Sequence, residues 1–181
     1  GSRIATDHLI AQGAKTIAFV GGVEGRAVTA ERMSGYLDRV GASGLTPHVI
    51  SGRPTRAFGR ETAASLMHKP EVDAAICFND LVALGMISGF AGNGRLVGND
   101  FRLVGFDDIE DAAQAYPTLS SIHCDIAGFG EQIAATLLRW LKEDLRPSAE
   151  TRTPVSLVVR ASSGPVAAPS SAPRAKSPRK R

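Results

Sequence analysis

Three apolar runs in this sequence end in polar residues, and those endings hold the chemistry it can offer. After residues 16–21 come Glu24, Gly25 and Arg26, with Arg32 a little further on. After residues 73–78 come Asn79 and Asp80, and after residues 101–105 come Asp107 and Asp108. A guanidinium presents a planar fork of donors, a carboxamide presents a donor and an acceptor, and a carboxylate only accepts. Converging on one crevice, such groups suit the vicinal hydroxyls of a polyol, and the charged ones make the stronger bonds. Each residue also has a plainer reading. Asn79 or Asp80 can cap a helix, Asp80 being the preferred cap. Arg26 can be a solvated loop charge, and Arg32 can pair with Glu31 or another carboxylate. Asp107 and Asp108 can brace their loop.

Catalytic readings find less support. Gly21-Gly22-Val23-Glu24-Gly25 follows an apolar run but has neither the GxGxxG spacing nor a phosphate-binding lysine. The Asp107-Asp108 pair has no second acidic cluster or positioned lysine to complete a metal or phosphoacceptor site. There is no G-x-S-x-G, and His8, His48, His68 and His123 have no evident nucleophile partner. The expectation is a binding protein rather than an enzyme, with no cofactor and no metal. Cys77 and Cys124, outside any CxxC, read as small core residues in a reducing compartment.

The elements that must position these groups follow from periodicity. Residues 16–21, 46–50, 73–78, 101–105 and 155–159 read as strands. Helical spacing of Met33, Tyr36, Leu37 and Val40 ends at Gly41 and Gly44. Further helices are expected over about 58–68, 81–91 and 125–145, the last with a stripe of Phe129, Ile133, Leu137, Trp140 and Leu141. Strand alternating with helix predicts an α/β fold, a parallel sheet flanked by helices on both faces. In such a sheet ligands bind beyond the carboxyl ends of the strands, where the polar residues lie.

Composition agrees with a soluble globular domain. The chain has 181 residues, 43% of them apolar, and only 6% aromatic, so Ala, Val, Leu and Ile must build the core. No apolar run is long enough for a bilayer. The pI near 9.1 is misleading about nucleic acid. Five basic residues and no acidic ones lie beyond position 164, so a net charge of +3 for the whole becomes −2 for residues 1–164. Apart from Val166, residues 165–181 are Pro, Ser, Ala, Lys and Arg, and read as a disordered basic tail, either solubilising or making weak DNA contacts.

Taken in order, His8-Leu9-Ile10-x-x-Gly13, Ile17-Ala18-Phe19-Val20-x-Gly22, Glu31-Arg32-x-x-Gly35-Tyr36, Asp73-Ala74-Ala75-Ile76, Asn79-Asp80-x-x-Ala83-x-Gly85 and Val104-Gly105-Phe106-Asp107-Asp108 resemble the LacI/GalR (lactose-repressor) family of transcriptional regulators. Pro117-x-Leu119-Ser120-Ser121-Ile122 and Leu157-Val158-Val159-Arg160 extend the likeness over nearly all of residues 1–164. The resemblance implies two periplasmic-binding-protein-like subdomains joined by crossovers, preceded by a helix-turn-helix. Residues 1–14 would finish the first subdomain and 15–124 form the C-terminal one. Residues 125–153 would be a helix returning to the first, and 154–164 the last strand. The DNA-reading helix would lie in a missing N-terminal part.

The resemblance further implies a sugar-responsive cytoplasmic repressor, a homodimer on operator DNA, whose sugar or sugar-phosphate effector binds between the subdomains. Arg32, Asn79 and Asp107 match effector-contacting positions, and Arg26 matches one used by some members. Pro54 stands where several members have a stacking aromatic, and Cys124 and Ile126 where others have a polar residue and an aromatic, which leaves the ligand open. A periplasmic sugar-binding protein of a transport system is the alternative, and an α/β enzyme a second.

Overall fold

The computed structural model describes residues 1–164, so the expectation of a disordered tail falls outside the described residues. Six strands form one sheet: β1 Ile17–Val20, β2 His48–Ile50, β3 Ala74–Cys77, β4 Arg102–Asp107, β5 Ser120–Cys124 and β6 Val155–Val158, in the order β2-β1-β3-β4-β5-β6. The helices are α1 Ser2–Ala11, α2 Ala27–Ala42, α3 Arg56–Leu66, α4 Asp80–Gly92, α5 Glu110–Gln114 and α6 Ile126–Glu143, with a single 3-10 turn at Ala161–Ser163.

The first five strands are parallel, as expected for β1 to β4, but β6 runs antiparallel to β5. Cys124, at the end of β5, faces Val155, at the start of β6. The chain therefore re-enters the sheet at the edge where it left, and its last strand must run backwards. No crossover separates these two strands, so the rule that forces parallel pairing does not apply.

Alternation along the strands sorts the core into two layers. Ile17, Phe19, Ile76, Val104 and Ile122 face α1 and α2, where Leu9, Tyr36 and Val40 are buried. Ala18, Val20, Ala75 and Leu103 face α3 and α4, which contribute Leu66, Met86 and Phe90. Tyr36 satisfies its buried hydroxyl by donating to the Ile17 carbonyl at 2.7 Å, and it accepts from the His48 amide at 2.8 Å, pinning α2 to β1 and β2.

Residues 1–14 pack against the sheet: Ala5 and Leu9 of α1 have no exposed surface and belong to the same core layer as β1 and β3. The physical reason is the helical spacing of Ala5 and Leu9, which gives α1 an apolar face of the width the sheet needs covered. α6 forms where its stripe predicted, yet it buries none of its residues among those described, and Ile133, Leu137, Trp140 and Leu141 stay exposed. Two elements lacked a sequence signal. β5 is half polar, and its Ser120 and Ser121 are fully buried with bonded hydroxyls, while α5 has only five residues.

Candidate functional site

The carboxyl ends of β1, β3 and β4 lie side by side because those strands are neighbours in the sheet. Arg32, in the second turn of α2, reaches across this edge. Its guanidinium donates to Asp107 Oδ1 at 3.0 Å and to the carbonyl oxygen of Phe78. It lies 3.7 Å from the ring centre of Phe106 and 4.7 Å from that of Phe78. Contacts of a cation with ring faces strengthen when desolvated, and the Arg32 side chain is only 18% exposed. Arg32 is thus held on three sides.

Asp107 closes β4 with φ +107°, in backbone territory a non-glycine residue seldom occupies. Burial pushes its carboxyl above the ordinary value, against the opposing pull of the Arg32 charge and hydrogen bond. Oδ2 of Asp107 has no partner among the described residues. Arg32 and Phe106 also line a cavity of about 760 Å³, together with Val28, Glu31, Cys124 and Arg152. An arginine–aspartate pair over an aromatic floor can grip neighbouring hydroxyls by donor and acceptor.

Of the expected site residues, then, Arg32 and Asp107 come together. Asn79 is at the same edge, but it caps α4: its Oδ1 accepts from the Val82 amide at 3.0 Å, and its Nδ2 donates to the Pro54 carbonyl at 3.4 Å. Arg26 is exposed at the N-cap of α2 and makes no side-chain hydrogen bond among the described residues. Asp80, the preferred cap in the sequence, is not the cap. It is the first residue inside α4 and is 1% exposed. Burial raises its carboxyl pKa to about 6, although hydrogen bonds from Ser121 and the Ile109 amide oppose the shift.

Asp108 takes the bracing role. Arg160 donates to its Oδ1 at 2.7 Å, and His123 Nδ1 lies 3.1 Å from its Oδ2. Neither Arg160 nor His123 carried a sequence signal for this role. The aromatic floor was also missed, since Phe78 and Phe106 sit in apolar runs and read as core. Cys124, expected in the core, is only partly buried and lines the cavity. One histidine proves to have a hydroxyl partner: His8 Nε2 lies 2.8 Å from Ser163 Oγ. That serine is 1% exposed and bonded to Ser120, so the contact ties α1 to the 3-10 turn at Ala161–Ser163. Among the described residues no three His, Cys, Asp or Glu side chains converge as a metal site, and no helix is long and apolar enough to cross a membrane.

Fold and site together define a class: an open α/β domain whose strand ends carry a partly buried Arg–Asp pair. The chain belongs to the periplasmic binding protein-like domain family, which matches residues 6–163, and within it to the LacI/GalR type. It is similar to the HTH-type transcriptional regulator CelR of Thermobifida fusca, 31% identical over 163 residues, covering 88% of this chain and 46% of that protein. The HTH-type transcriptional repressor PurR of Actinobacillus pleuropneumoniae is 30% identical over 148 residues, covering 80% and 44%. Among solved structures, a CelR–cellobiose complex superposes with a TM-score of 0.83 at 28% identity, over 90% of this chain and 51% of that one. A lac repressor dimer bound to operator and the anti-inducer ONPF gives 0.84 at 26%, over 91% and 58%. The chain spans about half the length of the curated relatives it matches.

Proposed function

We propose that this chain is the effector-binding part of a sugar-responsive transcriptional repressor, with Arg32 and Asp107 as the grip on the effector. One observation carries the reading: a partly buried Arg32–Asp107 pair laid on Phe106 at the carboxyl edge of the sheet, the edge where open α/β sheets take ligands. Asn79 and Arg26 stand on the same edge as further polar contacts, Asn79 through the second proton of its amide. The relatives' names favour a repressor over a transport receptor or an enzyme. A polyhydroxylated sugar is the ligand class, with cellobiose the first to try because a similar structure holds it.

In the whole protein, DNA-binding heads on a homodimer would occupy a two-fold operator in the cytoplasm. An effector bound at the Arg32–Asp107 edge would shift the balance between DNA-competent and DNA-incompetent arrangements by binding one better than the other. The test is to titrate the complete protein, held on operator DNA, with a panel of sugars and sugar phosphates headed by cellobiose. Arg32→Ala and Asp107→Ala should each abolish the sugar response and leave operator affinity unchanged. Normal response in both variants would overturn the site.

A further inference from the structure

Asp107 and Asp108 both have positive φ, +107° and +53°, and consecutive non-glycine residues there persist only when their surroundings hold them. The backbone amides that follow Asp107 converge on one group. The Asp108 amide donates to Ser121 Oγ at 3.1 Å, and the Ser121 hydroxyl donates onward to Asp80 Oδ1 at 2.6 Å. The Ile109 amide donates directly to Asp80 Oδ2 at 2.9 Å. Both carboxylate oxygens of Asp80 are therefore occupied by the turn that follows Asp107, one directly and one through a serine.

The neighbourhood is shaped around this carboxylate. Gly105, two residues before Asp107 on β4, leaves the space it fills, since a Cβ there would stand 2.0 Å from Asp80 Oδ1. No cation pairs with Asp80 among the described residues. A buried carboxylate without a counter-charge is costly, and neither the cap of α4, which Asn79 supplies, nor the proposed grip on the effector accounts for it.

We infer that Asp80 is the positioning residue of the candidate site: through Ser121 and the Ile109 amide it fixes the left-handed turn that aims Asp107 at Arg32. The inference rests on the reading of Arg32 and Asp107 as the effector grip. The charged and titratable groups facing Asp80 are Asp107 and Asp108 from the end of β4, Cys77 from β3 and Cys124 from β5. The first two carboxylates raise its pKa by repulsion, in the same direction as burial. Asp80 therefore changes charge near pH 6 with the turn amides as its immediate witnesses.

The experiment uses the isotope-labelled 181-residue chain, read by amide hydrogen exchange and by amide chemical shift. Asp80→Ala should raise exchange at both Asp108 and Ile109 at least tenfold, while Phe90 in α4 stays protected as the control for folding. Ser121→Ala should do so at Asp108 and spare Ile109, which decides the matter if the first variant does not fold. The Ile109 amide shift should titrate near pH 6 and stop doing so in Asp80→Asn. Unchanged protection of both amides in Asp80→Ala, or equal loss at both in Ser121→Ala, overturns the inference. Cellobiose binding, measured by calorimetry, should weaken about tenfold in Asp80→Ala. If the unaltered chain does not bind cellobiose, that choice of sugar fails, while the amide results still decide the role of Asp80.

Discussion

Arg160 reaches Asp108 where both side chains are mostly withdrawn from water, 19% and 12% exposed, and the same guanidinium nitrogen donates to the Leu119 carbonyl at 2.7 Å. Removing one partner of such a pair leaves an uncompensated charge, which costs more than removing both. Arg160→Ala should therefore destabilise the fold by roughly 2–4 kcal/mol, and Arg160→Met combined with Asp108→Asn should cost less than Arg160→Ala alone. Urea unfolding monitored by circular dichroism separates the two outcomes. Asp80 makes a second prediction with a definite sign. Its folded pKa of about 6 lies above the ordinary carboxylate value of 3.8, so between those values the native state holds a proton that the unfolded state has released. Its contribution to stability is greatest below pH 4, falls as pH rises through 4 to 6, and is constant above that. The stability difference between wild type and Asp80→Asn should change in that window alone, and urea midpoints at pH 4, 5, 6 and 7 would measure it. In the sequence only the family resemblance separates Asp107 from Asp108, and the preference for Asp80 over Asn79 as the cap was the wrong way round. What separates them is backbone conformation: Asn79 is extended, at φ −149° and ψ 173°, as an N-cap must be, and only the fold sets that angle.

Among the elements, α3 and α4 pack backbone to backbone, and glycines make the approach possible. A Cβ on Gly85 would lie 2.1 Å from the Arg56 carbonyl oxygen, and one on Gly59 would lie 2.1 Å from that of Val82. The obstructing atoms are backbone, so no side-chain rotation relieves the contact. Gly85→Ala should push the helices apart and cost about 1–3 kcal/mol or more, despite the better intrinsic helix propensity of alanine. Thermal unfolding of that variant beside Gly92→Ala, where nothing lies within 4 Å, reads packing against propensity. Strands β1 to β4, and α2, α3, α4 and α6, were legible because their apolar periodicity reports the local structure directly. The direction of β6 was not, since it depends on where the chain returns to the sheet. β5 escaped because its serines are buried through hydrogen bonds from the Arg160 amide and to Asp80, a pairing that polarity alone hides. For α6 the periodicity foretold the helix and its apolar stripe, while what covers the stripe cannot be read from the stripe itself.

For the whole molecule, the site's legibility followed from topology: once β1, β3 and β4 are adjacent, Arg32, Asn79 and Asp107 must share an edge, and periodicity had already placed each after its strand. Side-chain partners, such as the cap that engages Asn79, needed the fold. Charge behaves in the opposite way, because its distribution is fixed by sequence and needs no fold. Residues 1–164 carry a net −2 and the final seventeen carry +5, so any affinity of this chain for duplex DNA must come from those five basic groups. Each phosphate neutralised contributes about −0.9 to the slope of log affinity against log salt. Five such contacts give a slope of about −4.5, so raising salt from 50 to 200 mM should weaken binding about 500-fold. Fluorescence anisotropy with a labelled duplex should thus show salt-sensitive, sequence-indifferent binding at most for the full chain, and none for residues 1–164. Sequence-specific binding by residues 1–164 would place DNA reading in this domain and contradict the proposed division, in which the Arg32–Asp107 edge senses a sugar and a separate part of the protein reads the operator.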